Sequence, residues 1–265
     1  MGQPRLPAIT DLKNKKMSQP VLPTLLFCLL FSNHCPAADK IVSIAFGESM
    51  SPYISEHGTS GMEVEIIRAA LQARGYQLRA VSVSQPRLTQ ALQRPDVDAV
   101  ATISQPSYPQ APCSSVYISY DNVAITLASH PLALNDLHDL AHYRVQAFPL
   151  AKNNLGAAFA AMARHNPDYA ESANQVDQNR LLYRGAIDVV IADRHIFAAM
   201  NEKMRQETDE QPQPVKIYHL FTPTPYRLAF KQTRLRDEFN LGLLAIQRNG
   251  QYQQISHRLN TESNP

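Results

Sequence analysis

Ile41-Val-Ser-Ile-Ala-Phe46 is apolar except for one serine, which suits a short buried strand. Reading outward from it, Gly47-Glu-Ser-Met-Ser-Pro-Tyr53 is a loop. Ser60-Gly-Met-Glu63 has the S-x-x-E form of a capping box, in which the serine oxygen accepts an N–H of the first helical turn and the glutamate reaches back. Val64, Ile67 and Leu71 recur at i, i+3 and i+7 with Ile66 and Ala70 beside them, so one helical face is apolar. Gly75 stands where a helix C-terminus favours a left-handed residue. Leu78 to Val83 reads as a second strand and Ser84 to Leu92 as a short helix with Pro86 in its first turn. Asp98-Ala-Val-Ala-Thr-Ile103 reads as a third strand. Strand, helix, strand, helix, strand implies a parallel sheet with right-handed crossovers.

The phrase Leu92-Gln-Arg-Pro-Asp-Val-Asp98-Ala-Val returns as Leu182-Tyr-Arg-Gly-Ala-Ile-Asp188-Val-Val, 90 residues later. Each copy is a helix end, a turn, a β-branched residue, an aspartate and a buried strand, so the repetition predicts two similar α/β lobes. Strands are expected at Ser119–Leu127, Arg144–Phe148, Ile187–Ala192, Val215–Phe221 and Tyr226–Lys231. Helices are expected at Asn135–Ala141, Leu155–Arg164, Asp177–Arg184, Arg194–Glu207 and Leu235–Gln247, the last ended by Gly250. Gln105–Pro112, with three prolines, and Thr208–Pro214 read as loops.

The 265 residues fit one large or two small domains, and 44% hydrophobic content is ample for a core. A formal charge of +2, with no basic run beyond the N-terminus, argues against nucleic-acid binding. No apolar run reaches the roughly 18 residues of a membrane span. Residues 1–37 read as an export signal: Lys13, Lys15 and Lys16 precede the apolar run Val21–Phe31, and Cys35 and Ala37 stand at the −3 and −1 positions of a cut before Ala38. A start at Met17 would lose those lysines. Cleavage removes a net charge of +3 and leaves a chain of net −1 whose sole cysteine is Cys113, so no intramolecular disulfide can form. The protein is expected to be soluble and without a lipid anchor.

No G-x-S-x-G, P-loop, dinucleotide glycine fingerprint or C-x-x-C occurs, and nothing marks a nucleophile with its base. His138-Asp-Leu-Ala-His142 places two histidines four apart but with no third ligand, and reads as surface. Neither a metal nor a cofactor is expected, and the chain reads as a binding protein rather than an enzyme. What remains is a set of polar and aromatic residues just past the carboxyl ends of the strands, where open α/β sheets bind ligands. The candidates are Tyr53, Arg87, Thr102, Ser104, Gln105, Tyr108, Phe148 and Asp193. Aromatic walls with a few polar anchors suit a small-molecule cleft.

Over residues 40–260 the order and spacing of these features resemble the bacterial periplasmic solute-binding proteins of family 3, the polar-amino-acid type. Met50-Ser-Pro52-Tyr53 stands at the family's aromatic-x-Pro-aromatic loop, with Met for the first aromatic, and Gly61-Met-Glu-Val-Glu65 at its first helix start. Pro95-Asp-Val-Asp98-Ala and Gly185-Ala-Ile-Asp188-Val-Val-Ile-Ala-Asp193 match its two G-x-V-D phrases, with Pro for the first glycine and Ile for the second valine. Tyr226-Arg-Leu-Ala-Phe230 and Asn249-Gly-Gln-Tyr252 match its C-terminal section. The resemblance implies a periplasmic binding protein type II fold: lobe one from 39–125 and 219–265, lobe two from 126–218, joined by two hinge strands and closing on a small-molecule ligand. It implies that Asp193 holds a ligand ammonium, and that a membrane permease or receptor receives the loaded protein, a monomer in the periplasm.

Two departures bear on the ligand. The family's T-x-x-R, whose arginine takes a carboxylate, falls on Ser107-Tyr-Pro-Gln110, and its second-lobe Gly-Thr turn falls on Phe148-Pro-Leu150. Either Arg87 replaces that arginine, facing Asp193 across the cleft, or the ligand is not an α-amino acid. Three functions stand side by side: uptake, sensing, and a dehydratase on the same fold with Glu48 or Asp193 as its acid.

Overall fold

A computed structural model of the chain describes residues 40–47, 49–88, 90–104, 108–208 and 210–262, together with Gly2. Apart from Gly2, the expected export signal lies outside these residues, as do Glu48 and Gln105. The first lobe begins with β1 (Lys40–Phe46), α1 (Met62–Gln72), β2 (Tyr76–Ser82), α2 (Gln85–Leu88), β3 (Ala99–Ile103) and β4 (Ile118–Tyr120). The second holds β5 (Asn122–Leu127), β6 (Val145–Ala147), α3 (Ala151–Asn154), α4 (Gly156–His165), β7 (Tyr169–Glu171), α5 (Gln175–Tyr183), β8 (Val189–Asp193), α6 (Arg194–Glu207) and β9 (Val215–Tyr218). The chain returns to the first with β10 (Thr224–Phe230), α7 (Thr233–Arg248) and α8 (Gln251–Glu262).

Each lobe has a five-stranded sheet, in the orders β2-β1-β3-β10-β4 and β7-β6-β8-β5-β9. β1 pairs parallel with β2 and β3, and β6 parallel with β7 and β8, as βαβ units require. The strands beside the crossings run antiparallel, so each sheet is mixed rather than mostly parallel. The expected single strand Ser119–Leu127 breaks at Asp121, where the chain leaves one sheet for the other; the second sheet thus starts at Asn122, ahead of the expected changeover at 126. The return crossing runs through residues 219–223. Asn122 Nδ2 donates to Thr224 Oγ1 at 3.1 Å and ties the two crossings together.

The repeated phrase has a common structural meaning. Asp98 accepts the Ser43 N–H at 2.9 Å and returns its own N–H to the Ser43 carbonyl at 2.8 Å. Asp188 accepts the Arg144 N–H at 2.9 Å and returns its own to the Arg144 carbonyl at 2.9 Å. In both lobes the aspartate pins the start of its strand to the neighbouring parallel strand.

The capping box does not form. Gly61 is the N-cap of α1, with φ +106° and no side-chain cap, and Ser60 Oγ bonds Ser55 instead. The first N–H groups, of Met62 and Glu63, donate to the carbonyls of Pro52 and Tyr53 at 3.2 and 3.0 Å. The loop carbonyls do the capping, and Glu63 turns into the core, fully buried. The helix expected at Ser84–Leu92 is α2 followed by a 3-10 turn at Ala91–Gln93, and that expected at Asn135–Ala141 is a 3-10 turn over His138–His142. There Asp139 accepts the N–H groups of Asn135 and Asp136.

α1 and α7 cover one face of the first sheet so closely that a Cβ at Gly242 would lie 1.9 Å from the Ala70 carbonyl oxygen. Among the described residues, no helix is long and apolar enough to cross a membrane.

Candidate functional site

Capping by its own loop fixes Tyr53. The loop residue whose carbonyl receives the Glu63 N–H is also the one whose ring enters the junction of the lobes. A Cβ at Gly61 would lie 2.3 Å from the Tyr53 carbonyl oxygen, so only glycine allows this approach. The Tyr53 ring stacks on Tyr120 with centroids 3.9 Å apart and is 2% exposed.

The Tyr53 hydroxyl crosses from the first lobe to donate to Asp193 of the second, 3.2 and 3.1 Å from Oδ1 and Oδ2. Asp193 ends β8 and is the N-cap of α6, where Oδ1 accepts the N–H groups of His195 and Ile196 at 2.9 and 3.1 Å. Oδ2 accepts the N–H of Asp121, the residue at which the chain crosses between sheets, at 2.7 Å. Asp121 in turn pairs through Oδ2 with Arg194 Nε at 3.0 Å. Asp193 therefore joins a helix start, a hinge residue and the opposite lobe. Burial pushes its carboxyl up to about 6, against the pull of its hydrogen bonds. Burial first, and then the Asp193 charge, hold the Tyr53 phenol protonated.

The first lobe has its own buried acid. Glu63 accepts from Thr102 Oγ1 at 2.7 Å, from Tyr120 at 2.7 Å and from the Tyr117 hydroxyl. Among the described residues no cation bonds it, and burial raises its carboxyl pKa. Thr102 occupies the irregular step where β3 slips its register against β10, with φ +58°, and its N–H donates to the Tyr117 hydroxyl.

At the outer edge of the second sheet, Leu150 has φ +61°, and its N–H and that of Lys152 donate to Glu171 at 2.8 and 3.1 Å. Tyr169 donates to the same carboxylate at 2.8 Å. The start of α3 is thus capped by a side chain from β7.

Of the expected site residues, Tyr53 and Asp193 meet directly. Thr102 turns inward to Glu63, and the Tyr108 hydroxyl bonds the Leu88 carbonyl. Phe148 packs partly buried against the second core, and Ser104 is half-buried at the end of β3. Arg87 is exposed on α2, which follows the edge strand β2. Asp193 meets the first lobe through Tyr53, whose ring stacks on Tyr120 of β4. No bond or ion pair joins Arg87 to Asp193 among the described residues. Sequence reading placed Glu63 in a capping box rather than in the core, although it shares the face of Ile67 and Ala70 at i+4 and i+7, which was the available signal. It missed Asp121 and Glu171. No trio of His, Cys, Asp or Glu suited to a metal ion occurs among the described residues.

An open groove of about 470 Å³ lies against the joint, lined by Tyr53, Met62, Tyr117, Asp121, Arg194 and His195 among others. Its size is that of a small-solute site.

No curated protein sequence matches the chain. Among solved structures, an ancestral arginine-binding protein bound to arginine is 18% identical with TM-score 0.64, covering 83% of this chain and 97% of its own. A histidine kinase sensor domain with similarity to periplasmic binding proteins is 19% identical with TM-score 0.66, covering 83% and 96%. ArtJ, the arginine-, lysine-, histidine-binding protein of Geobacillus stearothermophilus, is 18% identical with TM-score 0.62, covering 83% and 95%. At these identities the likeness is one of fold. The sequence of residues 42–261 matches a family description directly, and with it the two lobes, the hinge and the inter-lobe joint find their place: the chain belongs to the bacterial extracellular solute-binding proteins, family 3.

Proposed function

We propose that this protein is exported, captures a small polar solute bearing a cationic nitrogen between its lobes, and delivers it to an ABC-type uptake system in the membrane. The observation that carries this reading is the Tyr53–Asp193 bond, a hydrogen bond between lobes in which both residues are 2% exposed. Groups so placed are covered in the closed form and uncovered when the hinge opens. The carboxylate oxygens already accept three N–H groups and the tyrosine hydroxyl, which fills their lone pairs. A solute nitrogen therefore competes with the Tyr53 hydroxyl, and a charge-assisted bond is roughly twice as strong as a neutral one. The N-terminal basic and apolar segment supports export to the periplasm, with action as a monomer. The lobes correspond to residues near 39–121 with 219–265, and 122–218.

The likeness to a histidine kinase sensor domain supports a second reading, in which the closed form is read by a membrane receptor. A thermal-shift screen of amino acids, amines and small acids tests the main reading. The expected result is a rise in melting temperature with a nitrogen-bearing cation, and at least about tenfold weaker binding by Asp193→Asn, which is roughly 1.4 kcal/mol. Failure of every solute to shift the melt, or consumption of the solute, would sink it.

A further inference from the structure

The open groove beside the joint carries chemistry that capture of a cation at Asp193 leaves unused. Its walls come from both lobes and from the return crossing: Met62, Val116 and Ile118 of the first lobe, Arg194 and His195 at the start of α6, and Pro223 between them. Asp193 is 2% exposed and is not part of these walls, so the groove stands apart from the carboxylate at which a solute nitrogen competes with Tyr53. The first lobe contributes mainly hydrocarbon. The hydroxyls of Tyr252 and Ser256, which also line the groove, are spent on the carbonyls of Tyr117 and Tyr252 at 2.9 Å each.

The second lobe contributes unused donors. His195 is 8% exposed and stands edge-on to the Tyr53 ring, with centroids 6.2 Å apart. Neither ring nitrogen has a hydrogen-bond partner among the described residues, and Nδ1 is buried. Burial, and then the Arg194 charge, lower the pKa of the ring, so it is neutral at neutral pH. A neutral imidazole donates one N–H, from either nitrogen, and a buried polar group without a partner is rare. Arg194 meets Asp121 through Nε at 3.0 Å and has no second side-chain partner among the described residues. A guanidinium carries five N–H groups, so most of them remain to be used. The acid on this wall, Asp121, is already faced by Arg194 and, at 4.0 Å, by His219.

We propose that the groove is a second ligand site, for a small organic acid with an apolar body: the carboxylate meets Arg194 and His195, and the body lies on Met62, Val116 and Ile118. About 470 Å³ accommodates such a molecule. The walls belong to both lobes, so an occupant binds the open and closed forms unequally and biases the hinge.

The test compares hexanoate with hexanamide and phenylacetate with phenylacetamide, pairs that differ only at the terminal group, by calorimetry on the purified protein. The acid of at least one pair is expected to bind at least tenfold more tightly than its amide. An advantage below tenfold in both pairs, or no binding at all, overturns the inference and leaves the cation reading to its own screen. Arg194→Gln should weaken acid binding at least fivefold. Asp121→Asn should strengthen it at least twofold, because the guanidinium is released and a repelling charge is removed. An ion pair that served only to hold the groove in shape would weaken binding in both variants, and that result overturns the inference. His195→Leu should weaken acid binding at least fivefold and melt no lower than wild type, since the ring has no hydrogen bond to lose. Unchanged affinity in a folded Arg194→Gln or His195→Leu overturns the role of that residue, and if one variant fails to fold the other decides. Asp193→Asn should keep acid affinity within threefold; loss of acid binding there would merge the two sites and overturn the proposal.

Discussion

The two lobes begin from one phrase and bury different acids. Asp98 and Asp188 make the same reciprocal pair of bonds to the strand beside them, so the repeat is a scaffold device in both. Glu63 and Asp193 are not equivalent. Every side chain that satisfies Glu63 comes from its own lobe: Thr102, Tyr117 and Tyr120. Asp193 is satisfied by backbone at the start of α6 and at the crossing residue Asp121, and by one hydroxyl from the opposite lobe. A buried acid closed off within its lobe stays satisfied when the lobes part. One whose partner lies across the cleft gains and loses that partner with the motion, and can be read out by a ligand.

The sharpest way to break this distinction is to remove the sealed acid. Glu63→Ala leaves a void and three orphaned hydroxyls in the first core. The loss is expected at about 3–5 kcal/mol, in line with large-to-small core changes and unsatisfied buried groups. Denaturant melts measure it. Solute affinity of the fraction that folds should be unaltered; a selective loss of affinity with normal stability would place Glu63 in the site rather than the scaffold.

The hinge acid is tested by pH. Its carboxyl lies near 3.8 unfolded and about 6 folded, raised by burial. The stability it confers is therefore complete below about 3.8 and lost as pH rises through about 6. Relative to Asp193→Asn, which does not titrate, the wild type should gain about 2–3 kcal/mol on acidification from neutrality to pH 4, at roughly 1.36 kcal/mol per pH unit of displacement. Parallel stability curves for the two proteins across that range would show that Asp193 is not desolvated as described.

How legible this was follows from the range of each contact. α6 over Arg194–Glu207 was readable to the residue, because an aspartate ends an apolar strand and opens an amphipathic run. Tyr53 and Asp193 were each singled out from the sequence, but their bond joins positions 140 apart on separate lobes, which no local pattern encodes. The S-x-x-E reading of Ser60–Glu63 failed because tertiary context competed: Gly61 brings the Tyr53 carbonyl onto the helix start, and the apolar face draws Glu63 inward. Glu171 was invisible because β7, Tyr169-Ala-Glu171, is a three-residue edge strand with no apolar run. Arg144 was legible only as the start of a strand, although its partner Asp188 stood in the repeated phrase.

That partner gives the smallest expected effect. In the first lobe the residue held by Asp98 is Ser43; in the second, the residue held by Asp188 is Arg144, whose guanidinium also bonds the carboxylate at 3.0 and 2.6 Å and the carbonyls of Gly185 and Ala186. The pair is open to water, with the side chains 48% and 29% exposed, so screening leaves it little net contribution. The backbone bond from the Arg144 N–H to Asp188 survives Arg144→Ala, and that bond is the part shared with the first lobe. The variant should lose less stability than either substitution above, and added salt should shrink the loss. Its pH dependence should run opposite to that of Asp193. The guanidinium holds the Asp188 carboxyl below the usual carboxylate range, so the stability from the pair is present at neutrality and disappears as pH falls through that lowered value. Melts of wild type and Arg144→Ala should therefore converge in acid. A gap that widens there, or one insensitive to salt, would mean that Arg144 supports the strand by packing and that the resemblance between Asp98 and Asp188 is confined to sequence.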